Sequence, residues 1–414
     1  MNYTICKRCR GCESRDLVKV MSLGEQSLSC FPLNGESVPS GPLDLLFCRR
    51  CNLVQLGATY PPEWLYSWYG YKSGLNPAMV AALKDLADAT FKTAHLLPGD
   101  VVCDVGSNDG TLLRQFPKGL FKVGFDPVKN FDPHEMTDGL DVFVPQRFSA
   151  AAWKAATGKR KARAVTAAAV FYALDDPLEF LFDVATILDS SGVLVIQMNH
   201  LGEMLCNNCF DNVVHEHVTY WSLSTLLPLL RRAGFRCLDA LINSVNGGSL
   251  RVFAVPEGSA LTVDGGERRI AELLKDETWL GYSATYTAVA GRVRWLGEKL
   301  RAAVEKHVNA SRRVYVYGAS TRGLTVMHYA GLDNRLIAGA AERNPDKWGR
   351  QYSDTGIVCV SEEEARKKAD VFLCLPYQFL GHLVERERIW LERGGRFLVP
   401  LPEVREVAAC TNAL

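Results

Sequence analysis

The chain has 414 residues, with 47 Lys+Arg against 46 Asp+Glu and a formal net charge of +1. So even a balance provides no field of one sign to recruit nucleic acid or a membrane surface, and the expected partners are small molecules. The length is too great for one ordinary core and predicts two or three domains. No apolar run is long enough to span a bilayer, and the polar, basic, cysteine-rich opening MNYTICKRCRGC does not have the pattern of a secretion signal. Thirteen cysteines, an odd number, then predict thiols in a reducing cytoplasm rather than a disulfide framework.

The first strong pattern lies in those cysteines. CRGC at 9–12 and CRRC at 48–51 are two CxxC knuckles in one short segment. A tetrahedral zinc ion takes four thiolates delivered in such pairs, which makes Cys9, Cys12, Cys48 and Cys51 the expected ligands. With no position left for water, the ion is structural. Cys6 forms an overlapping knuckle, CKRC at 6–9, and is the competing ligand. Cys206 and Cys209 in MLCNNCF have no partner pair and read as bystander thiols.

In GDVVCDVGSNDGTLLRQF a buried-strand pattern (Val101, Val102, Val105) passes through a glycine-containing turn into a helical one (Leu112, Leu113, Phe116). This is the nucleotide-binding turn of an open α/β sheet, where ligand sits at the carboxyl end of the first strand. The spacing excludes the dinucleotide fingerprint, because Gly106 and Gly110 are separated by Ser107, Asn108 and Asp109. The arrangement from Asp104 through Gly106 to Gly110 suits a cofactor carrying an amino acid and an adenosine. The next strand, FKVGFDP, ends in Asp126, whose carboxylate can accept from both ribose hydroxyls. A turn cap before Pro127 is the plainer role for Asp126.

Further alternation follows: a small-residue strand at 162–172, the helical DPLEFLFDVATIL, the apolar strand GVLVIQM at 192–198, and a late hairpin-like pair ending in SLRVFAVP. The order is that of a methyltransferase-type Rossmann sheet. VVHEHVTYWS at 213–222 comes after GVLVIQM, on the ligand side. An HExxH zinc helix is excluded, since His215 and His217 are two apart. On an extended segment that spacing sends both imidazoles to one side and Glu216 to the other. The pair is either ordinary hydrogen-bonded histidines or contains a general base, and its place on the ligand side favours the base.

Residues 267–306 read as a linker helix packed on one face, with Val289, Val293, Leu296, Leu300 and Val304 at three- and four-residue steps. A second strand–turn–helix unit starts at VYVYGASTRG. Gly318, Ser320 and Gly323 approximate a dinucleotide turn, and Glu342 stands about where a ribose acid is expected. NAD is the rival ligand here, but Ser320 puts a side chain where the pyrophosphate must approach the backbone. A helix N-terminus with Ser320, Thr321 and Arg322 can instead hold a phosphate of another nucleotide.

As a set, CRGC…CRRCNLVQL, YGYKSG (69–74), DVGSNDGTLL, HEH with its following aromatic pair, NGGSLRVF (246–253) and AERNPDKWG (341–349) resemble the deoxysugar C-methyltransferases over essentially the whole length. These S-adenosylmethionine enzymes methylate C3 of nucleotide-linked 4-keto-6-deoxysugars. The resemblance implies an α/β chain of three parts: a small zinc-binding domain (1–62), a central class I methyltransferase domain of Rossmann type (63–262), and a C-terminal Rossmann-like domain with the linker helix (263–414) that helps hold the nucleotide sugar. It implies that Asp104, Gly106, Ser107, Asn108, Gly110 and Asp126 bind S-adenosylmethionine. His217 becomes the base, Glu216 orients the site, and His215 is structural. Tyr71 is a candidate hydrogen-bond donor to an enolate oxygen or, equally, an aromatic lid residue. Tyr69, Asn246, Ser320, Arg322, Lys347 and Arg350 are the candidates for binding substrate.

The chain departs from better-known members at two places. Val214 stands where they carry Tyr in a Tyr-His-Glu-His run, and AVFYA at 169–173 replaces an Asn-Val-x-x-His segment, with Tyr172 as the available substitute and Ala173 at its end. A proton beside a ketone is acidic enough for a neutral imidazole to remove, so the expected chemistry is C-methylation through an enolate. A sugar O-methyltransferase and a non-catalytic nucleotide-sugar-binding protein are the alternatives. The sequence leaves oligomeric state open, with a monomer the simpler expectation.

Overall fold

The computed structural model describes residues 3–28, 30–33, 36–66 and 69–409. In the N-terminal part, strands Leu17–Ser27, Ser40–Cys48 and Val54–Leu56 form an antiparallel meander. Ser40–Cys48 alternates in burial, so Leu43, Leu45 and Phe47 point into the core as the two-residue strand period requires. The fourth strand of this sheet, Thr219–Tyr220, comes from the central part of the chain and pairs with Val54–Leu56.

Seven strands form the central sheet in the spatial order Phe235–Asn243, Ser249–Pro256, Leu188–Asn199, Ala162–Ala168, Val101–Val105, Phe121–Phe125, Val142–Val144. All neighbours are parallel except Ser249–Pro256, which runs antiparallel to both of its own. Both faces are covered. Val101, Cys103 and Val105 enter one apolar cluster and Val102 another, so the first strand is apolar on both faces apart from Asp104. The reversal of strand order beside Val101–Val105 opens a crevice at the carboxyl ends of the strands.

The third sheet has the order Cys359–Ser361, Gly339–Glu342, Val314–Tyr317, Val371–Cys374, Arg396–Val399, Arg405–Val407, parallel but for the last strand. Instead of one linker helix over 267–306, two helices are present, Gly266–Asp276 and Ser283–Asn309. The break follows from Glu277. Its buried carboxylate accepts from Leu223 N–H and Ser224 N–H (both 2.7 Å) and bonds His200 Nε2 at 2.9 Å, capping the helix Leu223–Arg232. Val289, Val293, Leu296, Leu300 and Val304 are buried in a core shared by the N-terminal sheet and the third sheet.

Candidate active site

The turn after Val101–Val105 is built by close approach. Gly106 has φ +72°, and a Cβ there would lie 2.3 Å from Val170 Cγ2, so a side chain is sterically excluded. The N–H groups of Gly106 and Ser107 both donate to the Phe125 carbonyl, at 2.8 and 3.0 Å, drawing the loop across the end of the second strand. Asn108 (φ +53°) and Gly110 (φ +77°) complete the left-handed turn. Asp104, buried at the strand end, accepts the Thr166 hydroxyl at 2.7 Å, and burial pushes its carboxyl up to about 7. Asp126 is buried too and accepts from Asn108 N–H (2.8 Å) and Val128 N–H (2.9 Å), one on each oxygen. It therefore caps the turn that follows its strand.

Each Asp126 oxygen keeps acceptor capacity for a ribose hydroxyl. Neither Asp104 nor Asp126 has a cation beside it, and the buried Ser107 Oγ has no hydrogen-bond partner, among the described residues. Buried carboxylates without a cation and an orphaned hydroxyl fit a ligand that brings positive charge and hydroxyl groups. S-adenosylmethionine brings both.

Beside this loop runs the segment Tyr69–Leu75. Asn108 accepts from Ser73 N–H at 3.0 Å and donates to the Tyr71 carbonyl at 3.1 Å, while Asp109 accepts from Gly74 N–H at 2.8 Å. Asn130 holds the Tyr69 backbone at both N–H (2.8 Å) and carbonyl (3.0 Å). From the C-terminal domain, Arg343 Nη1 donates to the Leu75 carbonyl at 2.9 Å. Two motifs that are far apart in sequence thus form one surface. Tyr71 is 44% exposed, in keeping with a rim position.

The HEH segment is a turn and not extended. The 3-10 turn Phe210–Asn212 reverses the chain, and His217 N–H donates to the Val214 carbonyl at 3.0 Å. The two histidines consequently face different partners. His215 Nε2 donates to the Gly41 carbonyl (3.2 Å), and its ring meets Tyr60 edge-on at 4.6 Å, a structural setting in which burial pulls it down to about 4. His217 Nδ1 donates to the Asn212 carbonyl at 2.9 Å, which fixes the tautomer and leaves Nε2 with its lone pair. Burial pulls His217 down to about 3, so the ring is neutral. Tyr172 packs against it with ring centroids 3.9 Å apart.

Burial pushes the Glu216 carboxyl up to about 8, so at neutral pH it carries a proton. After burial, Glu216 is the next cause raising the hydroxyls of Tyr66, Tyr69 and Tyr172. Arg322 is among the charges that act on His217 and Tyr172. Its guanidinium is nonetheless committed to Asp211, through Nε at 2.9 Å and Nη2 at 2.7 Å, and to the Asn246 carbonyl at 3.2 Å. Val214, at the position of the departure from Tyr, is buried.

The other substrate candidates have protein partners. Ser320 caps the helix Thr321–Tyr329 by accepting from Gly323 N–H at 3.1 Å, and its own N–H and carbonyl both meet the Tyr352 hydroxyl. Lys347 Nζ donates to the Ala319 carbonyl (2.9 Å) and Glu342 (3.2 Å) and sits over the Phe31 ring at 4.4 Å. Glu342 also accepts from Arg343 N–H and Asn344 N–H. At the dinucleotide-like turn, Lys347 bonds the Ala319 carbonyl and the Tyr352 hydroxyl meets the Ser320 backbone, so the protein's own side chains lie against the turn. Arg350 donates to the carbonyls of Asp346 and Phe31, both at 3.1 Å. Asn246 (φ +55°) contributes its carbonyl to Asn199 and Arg322.

The four thiols of Cys9, Cys12, Cys48 and Cys51 lie within 4.8 Å of one another, with Cys9 to Cys51 at 3.4 Å and Cys12 to Cys48 at 3.6 Å. A tetrahedral zinc with Zn–S of about 2.3 Å sets sulfurs roughly 3.8 Å apart, so the donors fit that ion. Cys6 is turned to the Arg8 carbonyl and the Gln55 amide instead. Cys206 is exposed and Cys209 buried, and neither belongs to a metal-binding group among the described residues.

Some partners had no signal in the sequence. Asp211, the buried acid that receives Arg322, Tyr377 and Gln378, stands in an unremarkable FDN. Asn212 acts through its carbonyl, which any residue carries.

Comparison with known proteins covers the same three parts. A zinc binding domain family matches residues 9–66, a methyltransferase domain family residues 76–240, and the C-methyltransferase C-terminal domain family residues 244–402. Among solved structures, an S-adenosylmethionine-dependent methyltransferase from Clostridium acetobutylicum is 11% identical, covering 43% of this chain and 92% of that one with a TM-score of 0.34. Magnesium protoporphyrin IX methyltransferase from Synechocystis, with bound SAH, is 15% identical over 44% of this chain and 88% of that one, with a TM-score of 0.33. The C-methyltransferase NovU of Streptomyces niveus is 31% identical over 410 residues, 97% of each chain. With that identity along nearly its whole length and the family's zinc-binding, methyltransferase and C-terminal domains in order, the chain belongs to the C-methyltransferases.

Proposed function

We propose that the protein methylates carbon beside the ketone of a nucleotide-linked keto-deoxysugar, with C3 of a 4-keto sugar as the position that its family resemblance favours. The carrying observation is the setting of His217: Nδ1 donates to the Asn212 carbonyl, which leaves Nε2 with its lone pair, and the Tyr172 ring lies against the imidazole. Such an imidazole can take a carbon-bound proton at Nε2. Glu216, protonated by burial, donates a hydrogen bond to the substrate or to the developing enolate oxygen, and Tyr172 or Tyr71 supplies a second donor.

Asp126 takes the ribose hydroxyls of S-adenosylmethionine, and Asp104 with the Gly106–Gly110 loop holds its amino acid end. That cofactor supplies an electrophilic methyl on a sulfonium. The cofactor loop holds the Tyr71–Gly74 backbone through Asn108 and Asp109, which supports a place for that segment beside the cofactor. Cys9, Cys12, Cys48 and Cys51 are the zinc ligands. Tyr69, Asn246, Ser320, Arg322, Lys347 and Arg350 are the candidates for substrate contacts.

The test is mass spectrometry and carbon NMR of products from a panel of nucleotide 4-keto sugars with S-adenosylmethionine. A new carbon–methyl bond beside the ketone is expected. A methyl on oxygen would overturn the reading.

A further inference from the structure

Arg10 stands inside the CRGC knuckle, between two of the clustered thiols, but its buried guanidinium is bonded to the active-site scaffold (3% exposed). Nε donates to Asp175 at 2.8 Å, Nη1 to the carbonyls of Leu56 (2.9 Å) and Val218 (3.3 Å), and Nη2 to the Thr59 hydroxyl at 2.6 Å. Val218 directly follows His217, and Asp175 lies three residues after Tyr172. These two segments also meet through Thr219 Oγ1, which donates to the Tyr172 carbonyl at 3.1 Å. The Val218 carbonyl accepts a second bond, from Leu56 N–H at 2.9 Å. One side chain therefore touches both segments whose rings form the His217–Tyr172 pair.

Arg10's own position is set from the knuckle. Its N–H donates to the fully buried Gln55 at 2.8 Å, and Gln55 in turn donates to the Arg8 carbonyl and Cys6. We propose that Arg10 is a positioning residue for methyl transfer: it clamps the chain after His217 to the chain after Tyr172 and so sets how the base meets its tyrosine. The inference rests on the reading of His217 as the base. It gives the zinc-binding domain a part in catalysis beyond its own stability. Lysine cannot replace it fully, since an ammonium lacks the rigid fork that reaches a carboxylate, two carbonyls and a hydroxyl together.

The test uses full-length protein with zinc measured by elemental analysis, as wild type, Arg10→Met and Arg10→Lys. Asp175 is 59% exposed, so Asp175→Ala is a second variant, which removes the acceptor on the Tyr172 side while Arg10 keeps its bonds to Thr59 and to the Leu56 and Val218 carbonyls. Histidine-labelled protein is read by nitrogen NMR, with the His217 ring signals identified by their loss in His217→Gln. Wild type should give one Nδ1–H tautomer. Arg10→Met should retain its zinc, give averaged or doubled His217 signals, and lower turnover about tenfold or more while Kd for S-adenosylmethionine stays within about twofold. Arg10→Lys should recover part of both effects.

Unchanged His217 signals in zinc-loaded Arg10→Met would overturn the proposal. If Arg10→Met loses its zinc, Asp175→Ala decides, and unchanged His217 signals there overturn it equally. The NMR arm needs no substrate. A wild-type protein that methylates no keto sugar therefore sinks the functional reading while the effect of Arg10 on His217 is still measured.

Discussion

The Tyr172 ring lies against the His217 imidazole, centroids 3.9 Å apart and planes inclined at 46°. Tyr172 belongs to AVFYA, the stretch that departs from the family's Asn-Val-x-x-His segment, so the departure puts an aromatic ring beside the proposed base. Tyr172→Phe keeps the ring and removes only the hydroxyl. Turnover should fall about tenfold or more if that hydroxyl stabilises the enolate, with folding stability changed by less than about 0.5 kcal/mol. Steady-state kinetics and thermal melting check both; full activity would move the donor to Tyr71.

Asp126→Asn should weaken S-adenosylmethionine binding by roughly 1.5–3 kcal/mol, measured calorimetrically. The amide has a single acceptor oxygen, so one of the bonds from Asn108 N–H and Val128 N–H is lost as well. Because Asn108 also holds Tyr71 and Ser73, binding of the sugar should weaken along with that of the cofactor. Unchanged cofactor affinity with a lowered melting midpoint would reduce Asp126 to a turn cap.

Chelation of zinc, or Cys48→Ser, should destabilise the N-terminal sheet, because metal affinity at a closed thiolate site is folding free energy. The sheet's fourth strand, Thr219–Tyr220, follows the HEH turn, so activity falls with it. Cys6→Ser should keep one zinc ion per chain, since Cys6 is bonded elsewhere. Elemental analysis decides, and loss of zinc from Cys6→Ser would show the ligand set to be wrong.

Glu216 and the two histidines titrate in opposite senses. Burial raises Glu216 from an ordinary 4.5 to about 8, so its protonated form favours the fold below the unfolded value, and that contribution is lost as pH rises toward 8. His215 and His217 fall from 6.5 to about 4 and about 3, so their contribution is present above 6.5 and is lost as pH falls through those values. Glu216→Gln cannot ionise, and its melting midpoint should gain on wild type as pH rises from about 5 to 9. A difference independent of pH would mean that Glu216 is not held protonated. Activity should decline on the alkaline side near 8, as the Glu216 donor is lost.

What the sequence made legible was local. The strand, turn and helix around Asp104–Gly110 follow from a hydrophobic period and glycine placement, and the two CxxC pairs follow from ligand spacing. The HEH turn was not legible, because it is imposed by partners far along the chain: Gly41 for His215 and Asn212, through its backbone, for His217. Nor was the break at Glu277, where a buried helix end drew a carboxylate out of an otherwise continuous helical pattern. In the C-terminal unit the pattern of a nucleotide turn is present, but Lys347 and Tyr352 lie against it, and neither lies near that turn in sequence. Long-range satisfaction of polar groups carries no local period.

The most direct test of His217 as base is hydrogen–deuterium exchange at the carbon beside the ketone, followed in deuterated water without methyl donor. Wild type should exchange that hydrogen, His215→Gln should exchange it at a comparable rate, and His217→Gln should be slowed by roughly a hundredfold or more with cofactor and sugar still bound. Exchange by His217→Gln at the wild-type rate would contradict the assignment and place the base elsewhere, with Tyr172 or Tyr71 next in line.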